Sequence, residues 1–323
     1  MANPKGATDA KGLELVRHAI LAPSSHNTQP WMFRVSGAAV ELHADRTRAL
    51  PVNDPLDREL TISCGCALMN LVVAARHFGR FRAAEVLPEL MHPDLIARVR
   101  LSPSAGPAQP GSDLFNAIRL RRTYRKRFTD RKVPGAVLKS LATAARAGGA
   151  WLEVISSAHA RHEVAALIAE ADRMQWADPS WRRELAQWMH PRRAGDGLVI
   201  PGLTSPLTHA VVRTFDMGGG VGAKDSELAG ASPVLAVIGT ERDRPRDWVA
   251  AGEALQGALL TAQTHGLQAS FLNQSVQVPS LRARLQSLLA HAGQPQLVIR
   301  LGYPAEEVPA TPRRPLEDVI EAR

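Results

Sequence analysis

The chain of 323 residues contains only two cysteines, Cys64 and Cys66. Two cysteines cannot build the network of disulfides that stabilises a small secreted domain, so this class of protein is excluded. The pair lies within an apolar helical pattern and has no histidines at the spacing of metal ligands. We therefore interpret both cysteines as small core residues and predict no metal site.

Long apolar runs are also missing from the sequence. No stretch reaches the ~18 uninterrupted apolar residues that indicate a transmembrane helix. The N-terminal segment MANPKGATDAKG has no apolar core that could serve as a signal peptide. We therefore expect no membrane partner and a cytoplasmic location. Apolar residues still make up 45% of the chain, which is enough to bury ordinary cores.

Two familiar catalytic patterns are absent or incomplete. No G-x-S-x-G motif occurs, and Ser24, Ser25 and His26 are sequence neighbours whose side chains do not normally point at one another. A serine hydrolase is therefore disfavoured. The glycine-rich segment GGGVGAKDS has Ala223 and Asp225 where a phosphate loop needs a glycine and a hydroxyl. We interpret its glycines as a flexible hinge.

Basic residues outnumber acidic residues by 39 to 31, which gives a formal net charge of +8. Such an excess can indicate nucleic acid, an acidic membrane surface or an anionic small molecule. The cations are scattered, and no stripe of aromatic residues accompanies them, so we expect no nucleic-acid partner. One dense cluster, RLRRTYRKRF at 119–128, is suited to a phosphate, because arginine stays charged and presents a planar fork of donors.

Two segments of the chain repeat each other. GCALMNLVVAARHFG at 65–79 and GEALQGALLTAQTHG at 252–266 agree at both ends and at internal alanine and leucine positions. Each has the apolar spacing of a helix with one buried face, ends at a glycine and follows a strand-like run. The repeat predicts a duplicated unit.

The predicted boundaries follow from this repeat. Residues 1–103 form the first half, 104–112 a linker of turn-forming residues, and 113–323 the second half. An insertion at about 170–227 has no match in the first half, and it carries Trp176, Trp181 and Trp188. An insertion of this length is usually a lid or a binding segment.

Strands alternate with helices in both halves, but they are too few and too irregularly spaced for a doubly wound parallel sheet. We therefore predict an α+β sandwich with mostly antiparallel sheets. Early in the chain, the segment APSSHNTQPW at 22–31 follows a helical pattern and combines many hydrogen-bonding side chains with a tryptophan. A surface turn would not need the large aromatic residue, so this segment is a candidate wall of a pocket.

Three motifs now stand in a defined order: APSSHNTQPW, then RRTYR at 121–125, then GYP and TPRRPLEDVI near the C-terminus. In this order, and together with the repeated helix, they resemble the FMN-dependent nitroreductase family across nearly the whole chain. The duplication, the arginine motif and the long insertion are most similar to the Acg-like subgroup. The resemblance implies a duplicated nitroreductase-like α/β/α sandwich that forms an intramolecular pseudo-dimer, and hence a monomer or a loose homodimer.

In this family FMN lies at the interface between two subunits. The resemblance places one wall of the flavin ring at Pro23, Ser24, Ser25 and Asn27. The arginine motif, which grips the phosphate and the pyrimidine edge of the flavin, corresponds to Arg121, Arg122, Thr123 and Arg125. The C-terminal arm would add Arg313 at the phosphate, with Arg314 as the alternative, and Leu272 and Asn273 would flank the flavin face.

The resemblance implies two functions that differ in turnover. The first is hydride transfer from NAD(P)H through FMN to a small nitro- or quinone-like acceptor, with no catalytic acid or base. The alternative is an FMN-sequestering or storage protein in which Trp176, Trp181 and Trp188 close over the flavin. The first half has no arginine motif before residue 13, and the second half has AARAGGAWLEV where the P-S-S-x-N segment would stand. We therefore expect one FMN per chain.

Overall fold

The protein is described by a computed structural model that covers residues 4–189, 195–198, 225 and 227–321. Most of the later part of the predicted insertion, including the glycine-rich segment apart from Asp225, lies outside these residues. The first half contains α1 (Pro4–Ala19), β1 (Trp31–Ser36), β2 (Ala39–Ala44), α2 (Arg58–His77), β3 (Phe81–Val86) and β4 (Leu95–Leu101).

The second half begins after the linker with two helices and a strand. These are α3 (Phe115–Leu120), α4 (Gly135–Ala147) and β5 (Trp151–Val154). The helices α5 (Ala158–Ala177) and α6 (Pro179–Trp188) follow. The remaining elements are β6 (Val234–Thr240), α7 (Pro245–Thr264), β7 (Gln268–Phe271), α8 (Gln274–Gln277), α9 (Pro279–Ser287) and β8 (Gln294–Gly302).

The strands form two antiparallel sheets of four strands each. Their orders are β1-β2-β4-β3 and β5-β6-β8-β7, so the first, second, fourth and third strands of each half are neighbours. Phe33 lies opposite Leu42 in the first sheet, and Ala236 lies opposite Ile299 in the second. These sheets and helices confirm the predicted α+β fold. The division of the chain into halves stays a prediction, although both sheets have the same strand order.

The two repeated helices, α2 and α7, pack against each other in the centre of the main core. Their first repeat glycines meet at the crossing: a Cβ atom on Gly252 would lie 2.7 Å from the Cα of Gly65. Beside this crossing, Gln256 Nε2 donates to Asn70 Oδ1 at 2.6 Å. Since both residues are buried, this hydrogen bond satisfies polar groups inside the core.

α2 is long and apolar enough to cross a membrane by length and composition. However, 83% of its most apolar window is buried inside the protein. The helix also contacts α1, α7 and several strands of the first sheet. We therefore interpret α2 as a core helix.

The outer faces of the two sheets differ. In the second half, side chains from α5 and α9 form a core with the sheet, including Val164, Ile168 and Leu285. The first sheet instead carries charged side chains: Arg98 donates to the carboxylates of Glu41 at 2.8 Å and Glu89 at 2.6 Å. The helical layer on the second sheet matters for function, because α5 extends from it to the cavity described below. The predicted start of the insertion at about residue 170 lies within this continuous helix.

Candidate functional site

A cavity of about 360 Å³ lies where the two halves meet. Its size is within the roughly 300 to 1,000 Å³ that is usual for small-molecule sites. The walls come from the early polar turn, α2, the arginine motif, the end of β7 with α8, and the two insertion helices α5 and α6. Apolar side chains also line the cavity, namely Ile62, Leu255, Phe271 and Leu297.

The early polar turn has an unusual backbone. His26, Asn27 and Gln29 adopt φ angles of 48°, 54° and 52°, a left-handed region that residues other than glycine rarely occupy. Such strain persists only where surrounding contacts hold it, and it is often found at functional sites. Here the backbone N–H of Gln29 donates to Ser24 Oγ at 2.9 Å, and Gln29 Oε1 accepts from the backbone N–H of Arg314 at 2.9 Å. The turn therefore presents Pro23, Ser24, Ser25 and His26 to the cavity.

The C-terminal arm holds this turn from behind. The guanidinium of Arg313 donates to the backbone carbonyls of Ile20 at 2.9 Å, Leu21 at 3.2 Å and Ala22 at 3.1 Å. It also donates to Asn27 Oδ1 at 3.3 Å. Asn27 and Arg313 are thus brought together, but neither lines the cavity. The free carbonyl groups beyond the end of α1 attract the arginine, since charged donors satisfy such groups.

The arginine motif is fixed along the edge of β7. Thr123 forms a bridge with Ala269, and the backbone N–H of Tyr124 donates to the carbonyl of Ala269 at 2.8 Å. This pairing places Thr123 and Arg125 on the cavity wall. Arg125 is accessible and makes no hydrogen bond or ion pair with any residue in the described parts of the chain. The protein around its guanidinium lowers the pKa of Arg125 through desolvation.

The turn and the arginine motif both line the cavity, and they lie close enough for their charges to interact. Burial, followed by the charge of Arg125, lowers the pKa of His26 to about 4. His26 is therefore neutral near pH 7. Its Nδ1 atom is buried and has no hydrogen-bond partner among the described residues. The histidine is thus available to a neutral polar group of a ligand.

Arg121 and Arg122 do not line the cavity but lie close to Arg313. Arg121 is buried and donates to the carbonyl of Leu21 at 3.2 Å, while Arg122 donates to the carbonyl of Arg119 at 2.7 Å. Burial, followed by the charges of Arg121 and Arg122, lowers the pKa of Arg313 to about 9. None of the three has a carboxylate partner among the described residues. This side of the site therefore favours an anion.

One face of α2 forms a wall that the sequence prediction missed. Glu59, Ile62, Ser63 and Cys66 follow the spacing of one helical face, and all four line the cavity. Ser25 Oγ donates to Glu59 Oε2 at 2.6 Å. The repeated segment predicted as a helix began only at Gly65, seven residues after the true start, so the first turns of the helix were not considered. Extending the apolar pattern back through RELTIS would have found them.

The insertion contributes a further wall. Asp172, Gln175 and Trp176 of α5 and Trp181 and Leu185 of α6 line the cavity, together with Leu198. Trp181 Nε1 donates to Asn53 Oδ1 at 2.9 Å, which ties α6 to the first half. Trp188 lies elsewhere, with its ring 5.2 Å from the guanidinium carbon of Arg48.

A second contact fixes α6 in place. The carboxylate of Glu184 accepts hydrogen bonds from the backbone N–H groups of Val52 at 2.8 Å and Asn53 at 2.9 Å. Burial raises the pKa of Glu184, and these two hydrogen bonds oppose the shift. The insertion is therefore anchored on the first half, although its sequence belongs to the second.

The structure brings some of the predicted site residues together and leaves others apart. The residues on the cavity wall are Pro23, Ser24, Ser25, Thr123, Arg125 and Asn273. Those outside it are Asn27, Arg121, Arg122, Leu272 and Arg313. Leu272 is directed into the core of the second half, while Asn273 Oδ1 accepts from the backbone N–H of Val298 at 3.0 Å. The binding roles of all these residues stay predictions.

The chain resembles known proteins over most of its length. Residues 118–303 match the model of the nitroreductase family. A protein of Mycobacterium tuberculosis whose name describes an NAD(P)H nitroreductase is 31% identical over 311 residues, which are 94% of this chain and 89% of the relative. The protein acg of the same organism is 28% identical over 314 residues, covering 95% and 94% of the two chains. PigM of a Serratia species, also named for this activity, is 23% identical over 325 residues, covering 94% and 90%.

Proposed function

Because the chain belongs to the nitroreductase family and is an Acg-like member of it, we propose that it binds FMN and transfers hydride from NAD(P)H to a small nitro- or quinone-like acceptor. One observation carries this proposal. The early polar turn and the arginine motif, about a hundred positions apart in the sequence, line a single cavity. The names of the M. tuberculosis and Serratia relatives support the nicotinamide donor.

The chemistry of the cavity fits FMN. A flat aromatic ring needs apolar walls, which Ile62, Leu255 and Phe271 provide. A phosphate needs a cation without a competing partner, and Arg125 makes no ion pair in the described parts of the chain. Arg121, Arg122 and Arg313 add positive charge nearby. This distribution predicts that the phosphate end of the cofactor is directed towards the arginine motif.

The protein's own residues would bind and orient the reactants. When bound, FMN supplies the hydride chemistry, so no side chain has to act as a nucleophile. Ser25 is held by its hydrogen bond to Glu59, and Gln277 Nε2 donates to the same carboxylate at 3.0 Å. These contacts fix the polar rim of the cavity before any ligand binds, which lowers the entropy cost of binding.

No group of three or more histidine, cysteine or acidic side chains that could hold a metal occurs within the described residues.

The duplication supports a complete site within a single chain. α2 and α7 pack on each other as the two halves of a pseudo-dimer would, and the cavity described above draws residues from both halves. We therefore propose a monomer or loose homodimer with one FMN per chain.

FMN storage is the second candidate function, and the position of the insertion favours it. Trp176 and Trp181 line the cavity, and α6 is anchored to the first half through Trp181 and Glu184. If this wall covers the exposed face of the flavin, a nicotinamide ring has no room to stack on it. The chain would then hold FMN without turning over a substrate.

Anaerobic reduction of the FMN-loaded protein separates the two functions. For the oxidoreductase, we expect NADPH or NADH to bleach the visible flavin absorbance within seconds in a stopped-flow measurement. Bleaching by dithionite but by neither nicotinamide would contradict the enzyme and support storage.

Substitutions in α6 then test whether the insertion is the obstacle. If the wall blocks access, Trp181→Ala should allow reduction by a nicotinamide, because it removes a large ring from the cavity. Trp188→Ala is the matched control, since this ring lies on the same helix outside the cavity. Equal behaviour of the two variants would show that Trp181 does not control access.

A further inference from the structure

The insertion side of the cavity is acidic, although the chain as a whole is basic. Asp172, Asp225 and Glu59 line the cavity, whereas Arg125 is the one lysine or arginine on its described walls. Glu59 is already engaged by Ser25 and Gln277. The other two carboxyl groups on the cavity wall, Asp172 and Asp225, belong to the insertion.

Asp172 is buried, and it forms no ion pair with any of the residues that the structure describes. Its side chain is 2% exposed, and its Oδ2 atom has no hydrogen-bond partner in the described parts of the chain. Burial, followed by the charge of Asp225, raises the pKa of Asp172 to about 7, and a hydrogen bond with Gln274 opposes the shift. Asp225 differs, because its charge opposes the burial-induced fall in the pKa of Arg300. Burial of the Asp172 carboxylate is thus costly, and no cation from the described residues compensates it.

Polar groups around Asp172 also have unused hydrogen-bonding capacity. Gln175, which is 7% exposed, has a buried Oε1 without a partner among the described residues, and the same holds for Oε1 of Gln274. Both residues line the cavity. Buried polar atoms are normally satisfied, so these oxygens indicate a ligand that donates hydrogen bonds. Asn53, which is 5% exposed, also lines the cavity, and its Nδ2 donor has no partner within the described parts of the chain.

Two tryptophan rings complete this end of the cavity. Trp176 follows Gln175 directly, and its ring packs at 5.4 Å from that of Trp181. Indole rings attract organic cations through their electron-rich faces, and this attraction grows when the cation is removed from water. A carboxyl group, amide oxygens and aromatic rings together match an ammonium group and disfavour an anion.

We propose that Asp172, Gln175 and Gln274, with Trp176 and Trp181, form a subsite for an organic ammonium group of the electron acceptor. This inference rests on the proposed function, because it assigns a chemical class to the acceptor that occupies the same cavity. It gives the two ends of the cavity opposite charge preferences. The arginine end takes the phosphate of the cofactor, and the insertion end takes the cationic group of the acceptor.

Three ligands that share a para-nitrophenyl ring and differ in the charge of the attached group test the subsite. They are para-nitrophenethylamine, a cation, para-nitrophenethyl alcohol, a neutral molecule, and the anion of para-nitrophenylacetic acid. Binding to the oxidised, FMN-loaded protein without a nicotinamide is measured by isothermal titration calorimetry, so no turnover occurs. We expect the amine to bind roughly tenfold more tightly than the alcohol, and the anion to bind most weakly. Equal affinities for the amine and the alcohol would overturn the proposal.

Substitution of Asp172 locates the effect. Asp172→Asn keeps the shape and removes the charge, so the preference for the amine should fall to about twofold or less. Asp130→Asn is the control, because the Asp130 side chain is 89% exposed and lies outside the cavity. A preference that survives Asp172→Asn would also overturn the proposal. So would a loss of FMN affinity in this variant with the amine preference unchanged, since Asp172 would then serve the cofactor.

Failure of the subsite and failure of the proposed function give different results. A protein that binds FMN but does not prefer the amine retains the proposed function and lacks the subsite. A protein that binds no FMN loses the proposed function, and the same titrations on the FMN-free protein then decide the subsite alone.

Discussion

Replacing Arg125 with glutamine should weaken FMN binding by about 10- to 100-fold. A hydrogen bond to a charged group contributes roughly 1.5 to 3 kcal/mol, and about 1.4 kcal/mol corresponds to a factor of ten in affinity. Arg125 lines the cavity and has no other hydrogen bond or ion pair within the described residues, so its guanidinium is available to the phosphate. Equilibrium titration of the FMN-free variant with FMN, followed by quenching of flavin fluorescence, measures the change.

The basic cluster at 119–128, which includes the arginine motif, contains a matched control. Arg127 lies two positions further on, its side chain is 64% exposed, and it faces Asp130 at 3.8 Å outside the cavity. Arg127→Gln should leave FMN affinity within about twofold of the original, because exposed ion pairs contribute little. Equal losses in the two variants would mean that the net charge of the basic cluster, and not the position of Arg125, controls binding.

Replacing Gly252 with alanine should destabilise the protein by about 3 kcal/mol or more. The added methyl group would collide with the carbonyl oxygen of Ile62 and lie 2.7 Å from the Cα of Gly65 and 2.9 Å from the backbone nitrogen of Cys66. All of these are backbone atoms of α2, so no side chain can move aside, and α2 and α7 must separate. The free energy of unfolding in a denaturant titration measures the effect.

Gly257 supplies the control within the same helix. A methyl group there would lie 3.5 Å from Cε of Met69, which is an ordinary van der Waals contact. Gly257→Ala should therefore stabilise the protein by up to about 1 kcal/mol, because alanine favours a helix interior over glycine. If Gly252→Ala were as well tolerated as Gly257→Ala, the close crossing of the two repeated helices would be wrong.

The sequence was sufficient to predict the elements that depend on local pattern. The apolar spacing and the terminal glycines predicted α2 and α7, and Gly79 and Gly266 indeed adopt the positive φ values, 61° and 73°, that favour glycine after a helix. Comparison of the repeats also pointed to Gly65 and Gly252, although only the structure reveals that they touch each other. The strand order within the sheets required the structure, because pairing joins residues far apart in the sequence.

Site residues were harder to predict, because their orientation depends on competing tertiary contacts. The phosphate role of Arg313 stays a prediction, but nothing in the sequence indicated that its guanidinium donates to three backbone carbonyls beyond α1. Glu59 was missed because its partner Ser25 lies 34 positions away and no local motif joins them. Asp172 lies on a helix whose sequence gives no sign of the cavity beneath it. In each case the residue type was informative, but its direction was set by the fold.

Titration of the purified, FMN-free protein with FMN tests the central claim most directly, because the claim is that two distant motifs enclose one flavin. We predict saturable binding of one FMN per chain, with the visible absorbance of a protein-bound flavin. A protein that stays colourless after incubation with excess FMN and gel filtration would contradict the account.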